Sequence, residues 1–252
     1  MDELLYQMIY KRKSFHLFRS TGNEKITEEE LEDIKQIYKD FIPLVDNIKT
    51  DIKVIPANLA NCNRGEEYCI YLYSEVKENY LQNIGYIGEQ LDLYLASRNI
   101  GALWFGIGKA QETYYNNLQF VIMIAIRKVP KDKFRQDMFK SKRKAIEEIW
   151  KSTNYQEIAE IVRFAPSSCN TQPWIVKENG KQLEVYRYKK PGKRGIMPVN
   201  KVIYYNRIDI GIFMLFLDIT LKHNNISYKK EILNDCQENN DAEETLVAVY
   251  KL

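Results

Sequence analysis

Histidine is scarce in this chain of 252 residues: there are two, His16 and His223. Its four cysteines, Cys62, Cys69, Cys169 and Cys236, are scattered and form no C-x-x-C pair. That leaves too few clustered ligands for a zinc site and argues against a metal hydrolase. Isolated thiols fit a reducing compartment, so a cytoplasmic location is expected. No apolar run reaches the roughly 18 residues that a membrane-crossing helix needs. Met1-Asp2-Glu3 is acidic and leads into no apolar core, so no secretory leader is expected. An excess of one charge is also lacking: 37 Lys+Arg against 34 Asp+Glu leave a net +3, with both signs interleaved. Nucleic acid is therefore not an expected partner. No G-x-G-x-x-G follows a strand-like run, which argues against a dinucleotide-binding Rossmann domain.

What remains is ordinary globular material, 45% hydrophobic and 28% charged, long enough for a large core and one or two domains. Within it the stretch Ala165-Pro166-Ser167-Ser168-Cys169-Asn170-Thr171-Gln172-Pro173-Trp174 stands out. Pro166 stops a helix, because it lacks an N–H and disfavours a helical residue before it. Ser167, Ser168, Asn170 and Gln172 then crowd donors and acceptors into one turn ahead of the apolar run from Trp174. Such a surface suits the polar edge of a flat ring system.

The order of elements occurs twice. Helical spacing over Glu28–Phe41 ends near Pro43 and a strand follows over Asp51–Pro56. The same order returns as a helix over Tyr155–Ala165, a stop at Pro166 and a strand from Trp174 to Lys177. Each half then has a long apolar helix, one from Asn83-Ile84-Gly85 to Asn99-Ile100 and one from Asp209-Ile210-Gly211 to Asn225-Ile226. Apolar on most faces, both should be buried. Strands over Gln119–Arg127 and Glu244–Tyr250 follow. The expected organisation is a first half over 1–135, a linker over 136–152 and a second half over 153–252. One chain would then imitate a symmetric dimer around the paired buried helices.

The loop from Pro166 resembles the P-S-S-x-N-x-Q-P-W pattern of the FMN-dependent nitroreductase family. Three further stretches share the resemblance. Lys11-Arg12-Lys13-Ser14-Phe15-His16-Leu17-Phe18 is similar to the family's basic signature R-[RHK]-S-x-[RK]-x-F. Asn99-Ile100-Gly101-Ala102-Leu103-Trp104-Phe105-Gly106 is similar to G-L-G-x-x-W-x-G. Lys140-Ser141-Lys142-Arg143-Lys144-Ala145-Ile146-Glu147-Glu148-Ile149 is similar to R-K-P-L-x-E-I, with Ala145 in place of the proline. The resemblance implies an α+β nitroreductase-like fold: two similar half-domains, each an antiparallel-type sheet flanked by helices, forming a pseudo-dimer.

It also implies a site. Arg12, Lys13, Ser14 and Arg143 would hold the FMN phosphate, since a guanidinium fork suits two phosphate oxygens. Pro166, Ser167, Ser168, Asn170 and Gln172 would hold the ring edge or ribityl chain. Ala102, Leu103 and Trp104 would shape the side of the redox-active nitrogen. His16 stands where the family has Arg or Lys, so the positive charge there depends on pH. The basic signature lies in one half and the serine loop in the other, which implies one intact site per monomer. No catalytic side chain and no metal is expected, because the flavin carries the chemistry. Hydride would pass from NAD(P)H to a small-molecule acceptor such as a nitroaromatic or quinone. Two alternatives keep the same residues: a flavin-binding sensor or store without turnover, and a cofactor-free interaction protein of the same fold.

Overall fold

Helix α2 (Glu28–Asp40) shows how local sequence sets the elements. Thr27 Oγ1 accepts from the Glu30 N–H and Glu30 returns a carboxylate oxygen to the Thr27 N–H, a reciprocal cap. Leu31, Ile34 and Tyr38 then fall on one buried face. The computed structural model describes residues 1–138, 141–188, 194–235 and 243–252. Lys140 of the basic run and Cys236 lie outside the described residues.

Helix α1 (Asp2–Lys11) precedes α2, and β1 (Thr50–Pro56) and β2 (Tyr68–Ser74) follow it. Helix α3 (Tyr80–Ser97) leads to β3 (Ile100–Phe105), the short β4 (Tyr114–Tyr115) and β5 (Leu118–Lys128). Helix α4 (Ile146–Ile149) and β6 (Trp150–Lys151) open the later part, followed by α5 (Gln156–Val162), β7 (Trp174–Asn179) and β8 (Gln182–Tyr188). Helix α6 (Val202–His223), β9 (Lys229–Ile232) and β10 (Glu244–Lys251) complete the order. The architecture is α+β, as expected.

One sheet runs β1-β2-β5-β3 with β4 on β5, and the other runs β6-β7-β8-β10-β9. All pairings are antiparallel except β6 with β7. Setting β4 and β6 aside, the two sheets have one strand order. Both carry a register shift in the corresponding strand, beside Val121 in β5 and Val247 in β10. Strand β6 falls inside the stretch expected to be a linker and is the edge of the second sheet.

Helices α3 and α6 cross at the centre. A Cβ on Gly85 would lie 2.0 Å from the Ile208 carbonyl oxygen, and one on Gly211 would lie 1.9 Å from that of Gln82. Only glycine lets the two backbones approach this closely. Each helix is followed by an asparagine in the left-handed region, Asn99 (φ 56) and Asn225 (φ 55), which ends it. Helix α6 begins seven residues before Asp209, where the apolar pattern starts; the added turns carry half-buried Tyr204 and Tyr205. Helix α5 is shorter than expected and tightens into a turn through Phe164 and Ala165 before Pro166. No helix among the described residues is long and apolar enough to cross a membrane.

Candidate functional site

The N-terminal basic segment is pinned to the first sheet. Ser14 bridges to Ala102 in β3, and the Phe15 N–H donates to the Ala102 carbonyl at 3.0 Å. Phe15 fits over Gly101, where a Cβ would lie 2.8 Å from its ring. It also packs against Phe18 and Phe134. This fixes Ser14 and His16 beside Leu103 and Trp104.

The serine loop is held by its own turn and by α6. Ser167 Oγ accepts from the Gln172 N–H at 2.9 Å, and Asn170 donates its N–H to the Ser167 carbonyl. Ser168 donates its N–H (2.9 Å) and hydroxyl (3.2 Å) to one oxygen of Asp209 on α6. Cys169, Asn170 and Gln172 all have positive φ (50°, 54° and 48°), so the loop stores backbone strain. Trp174 is fully buried and stacks on Phe213, anchoring the loop's exit in the core.

These two segments meet. A cavity of about 100 Å³ is bounded by Ser14, His16, Leu103 and Trp104 on one side and Pro166, Ser167, Ser168 and Asp209 on the other. It adjoins a more apolar cavity of about 240 Å³, which shares His16, Leu103, Trp104, Gly106, Ser168 and Cys169. Arg64, Phe105, Ile107, Ile196, Met197, Pro198 and Tyr205 complete that second wall. The Tyr205 hydroxyl donates to the Gly106 carbonyl and ties α6 to the end of β3. A third space of about 440 Å³, lined by Arg143, Lys144, Asn170 and Gln172, meets the first two at Cys169.

Asp209 was not expected in the site. It is buried, and burial pushes its carboxyl up to about 7 against the opposing pull of its Ser168 donors. Its second oxygen has no hydrogen-bond partner. The corresponding residue of α3, Asn83, accepts from the Leu44 and Val45 N–H groups with one amide oxygen. The sequence signal was the change from Asn to Asp in otherwise matched x-Ile-Gly segments.

Arg12 requires a correction. Its side chain is buried and lines none of these cavities. It lies 3.0 Å from Asp92 and 3.6 Å from Glu89 on α3, and it donates to Ser14 Oγ. Trp104 Nε1 also donates to Asp92, at 3.1 Å. The fork expected to face a phosphate faces these carboxylates instead, because a desolvated guanidinium needs opposite charge nearby. Burial works against the charge on Arg12, but Asp92 and Glu89 outweigh it and hold its pKa above the ordinary value. Burial, followed by the neighbouring Asp92, pushes the Glu89 carboxyl well up.

Arg143 and Arg135 are different. Burial, then repulsion from Arg12, lowers each to about 10, and Arg135 and Arg163 add to the repulsion on Arg143. Arg143 donates only to neutral acceptors: Asn170 Oδ1 and the carbonyls of Lys142 and Phe164. Among the described residues neither Arg135 nor Arg143 makes an ion pair. Several guanidinium groups thus crowd together with charge to spare.

The other expected residues divide. Ala102 is buried in β3, and only its carbonyl serves the N-terminal segment. Lys13 donates to the Lys133 carbonyl and lines a separate space with Arg135 and Ser141. Gln172 is buried, and its side-chain oxygen accepts from the Lys144 N–H. Cys62, Glu66 and Cys69 bring their ligating atoms within 4.8 Å of one another under the Arg64 loop. That cluster was not foreseen.

A family model described as "Putative TM nitroreductase" matches residues 4–221. Among solved structures, the chain resembles a putative nitroreductase of Thermotoga maritima MSB8, with a TM-score of 0.62 and 19% identity over 98% of this chain and 93% of that one. A nitroreductase family protein of Clostridium novyi NT aligns over 51% of this chain and 86% of that one, at 20% identity and a TM-score of 0.36. That second likeness is too slight to bear on the fold. No curated protein matches the chain.

Proposed function

This chain belongs to the family described as "Putative TM nitroreductase", and from that premise we propose that it is an FMN-dependent oxidoreductase. Its electrons would come from NAD(P)H and go to a nitroaromatic, quinone or similar small acceptor. The observation that carries the reading is the shared cavity. Ser14, His16, Leu103 and Trp104 from the first half face Pro166, Ser167 and Ser168 from the second across it.

The residues present fit the cofactor. Half-buried Arg143 and Arg135 make no ion pair among the described residues, and Arg12 repels both. A phosphate there would relieve that repulsion and accept charge-assisted bonds. Arg12 would act behind them, paired to Asp92 and orienting Ser14. Ser167, Ser168 and Asn170 offer polar groups for the ring edge or ribityl chain. Leu103 and Trp104 form the wall opposite the serine loop. When bound, FMN supplies the two-electron redox chemistry, so the chain needs no acid or base of its own. The adjoining apolar cavity would give the acceptor a surface to stack on.

We infer further that the two halves are duplicated units forming a pseudo-dimer within one monomer. The repeated strand order, the reciprocal Gly85 and Gly211 contacts and the Asn83–Asp209 correspondence support this. The serine-bearing loop exists only in the second half, so one site per chain is expected.

The test is reductive. Protein loaded with FMN should lose its yellow colour on anaerobic mixing with NADH or NADPH, and a quinone should restore it. Persistent colour with both nucleotides would contradict the enzyme and leave a flavin store.

A further inference from the structure

The apolar cavity has one charged side chain, Arg64, that makes no ion pair among the described residues. Arg64 lines it, half-buried, with its guanidinium over the Phe105 ring at 5.6 Å from the centroid. Among the described residues that guanidinium makes no ion pair and no side-chain hydrogen bond. Its backbone, by contrast, is firmly held. The Arg64 N–H donates to Glu66 at 2.7 Å, the Asn63 N–H donates to the other Glu66 oxygen at 3.0 Å, and the Arg64 carbonyl accepts from Phe18. Asn63 (φ 56) and Gly65 (φ 86) flank it in the left-handed region, with Gly65 closed against the Phe18 carbonyl. A rigid turn therefore presents a cation without an ion pair among the described residues to a pocket that Trp104, Phe105, Met197 and Tyr205 also line.

A guanidinium stacked on an aromatic ring keeps its edge donors available for a planar oxyanion. The surrounding walls favour a flat apolar body. We propose that Arg64 is a specificity-determining residue of this cavity and selects planar aromatic acceptors that carry an anionic substituent such as a carboxylate. The inference rests on the flavin-enzyme reading for the word acceptor, but the recognition itself needs no flavin. Arg64 contributes a charge-assisted pair, and the aromatic wall contributes burial. A neutral isostere keeps only the burial.

Calorimetric titration of the protein as purified, with 4-nitrobenzoate and with 4-nitrobenzamide, tests this; flavin content is measured separately by absorbance. Wild type should bind the carboxylate about tenfold more tightly or better, as one charge-assisted bond predicts. Arg64→Gln should abolish that preference while leaving amide affinity and flavin content unchanged, and Arg64→Lys should keep part of it. Equal binding of both probes by wild type, or a preference that survives in Arg64→Gln, would overturn the proposal. So would loss of flavin in Arg64→Gln, since the arginine would then serve the cofactor. If the protein takes up no flavin at all yet Arg64→Gln still loses the preference, the enzyme reading fails and the anion site stands.

Discussion

Asp209 is buried at the cavity wall, with one oxygen bonded to Ser168 and the other without a partner. Its carboxyl is raised to about 7, so between about pH 4 and pH 7 the native chain holds a proton that the unfolded chain has released. Stability therefore falls as pH rises through that window, by up to about 4 kcal/mol from this group. Asp209→Asn should remove that loss and be the more stable protein above pH 7. Urea denaturation at pH 5 and pH 8 checks it, and an unchanged pH slope would contradict the assignment. Glu89 is also raised and leaves a residual slope of the same sign. Arg12 gives the second residue-level prediction. Arg12→Met leaves Asp92 and Glu89 buried beside an apolar chain, and should cost about 3–5 kcal/mol of stability. Thermal unfolding without added flavin isolates that effect from cofactor loss, and a wild-type melting temperature would show the pairing to be idle. The basic character of Arg12 was legible in the sequence, but its direction was not. The carboxylates that turn it inward lie on α3, about eighty residues along the chain, and nothing local announces them.

Helices α3 and α6 depend on two glycines. A methyl group at Gly85 or Gly211 would overlap a backbone carbonyl of the opposing helix, and backbone cannot rotate aside as a side chain can. Gly85→Ala and Gly211→Ala should each destabilise by about 3 kcal/mol or more, or force the helices apart. Denaturant midpoints measure the effect, and wild-type midpoints would contradict the close crossing. The sequence shows both helices because their apolar residues cover most faces. It places the start of α6 too late because Tyr204, Tyr205, Asn206 and Arg207 read as polar surface while packing in the interior or at its margin. The four strands read from the sequence, β1, β5, β7 and β10, were legible within a residue or two, since β-branched and aromatic alternation matches a pleated, half-buried surface, whereas β2, β3, β8 and β9 were not read from it. Strand β6 was not legible: two residues carry no periodicity, and its pairing with β7 is set by the chain path.

Across the whole molecule, one family accounts for the fold, and a cavity forms where the N-terminal basic segment and β3 meet the serine loop. Ser14, His16, Leu103 and Trp104 could be named from the sequence because short motifs carry them, and so could Ser167 and Ser168. Asp209, Tyr205 and Arg64 could not, because each reaches these cavities by tertiary packing from a segment without a motif. The proposed pseudo-dimer also predicts a monomer in solution with an unequal pair of half-sites. Only the second half has serines in its loop; the first has Leu44 and Val45, held by Asn83. Equilibrium titration of FMN into flavin-free protein, with the oligomeric state measured on the same sample, tests the central claim most directly. The account predicts one FMN per monomeric chain and binding at least about tenfold weaker in Arg143→Ala, the loss expected from one charge-assisted phosphate contact. No saturable FMN binding by the wild-type chain, or undiminished binding by Arg143→Ala, would contradict it.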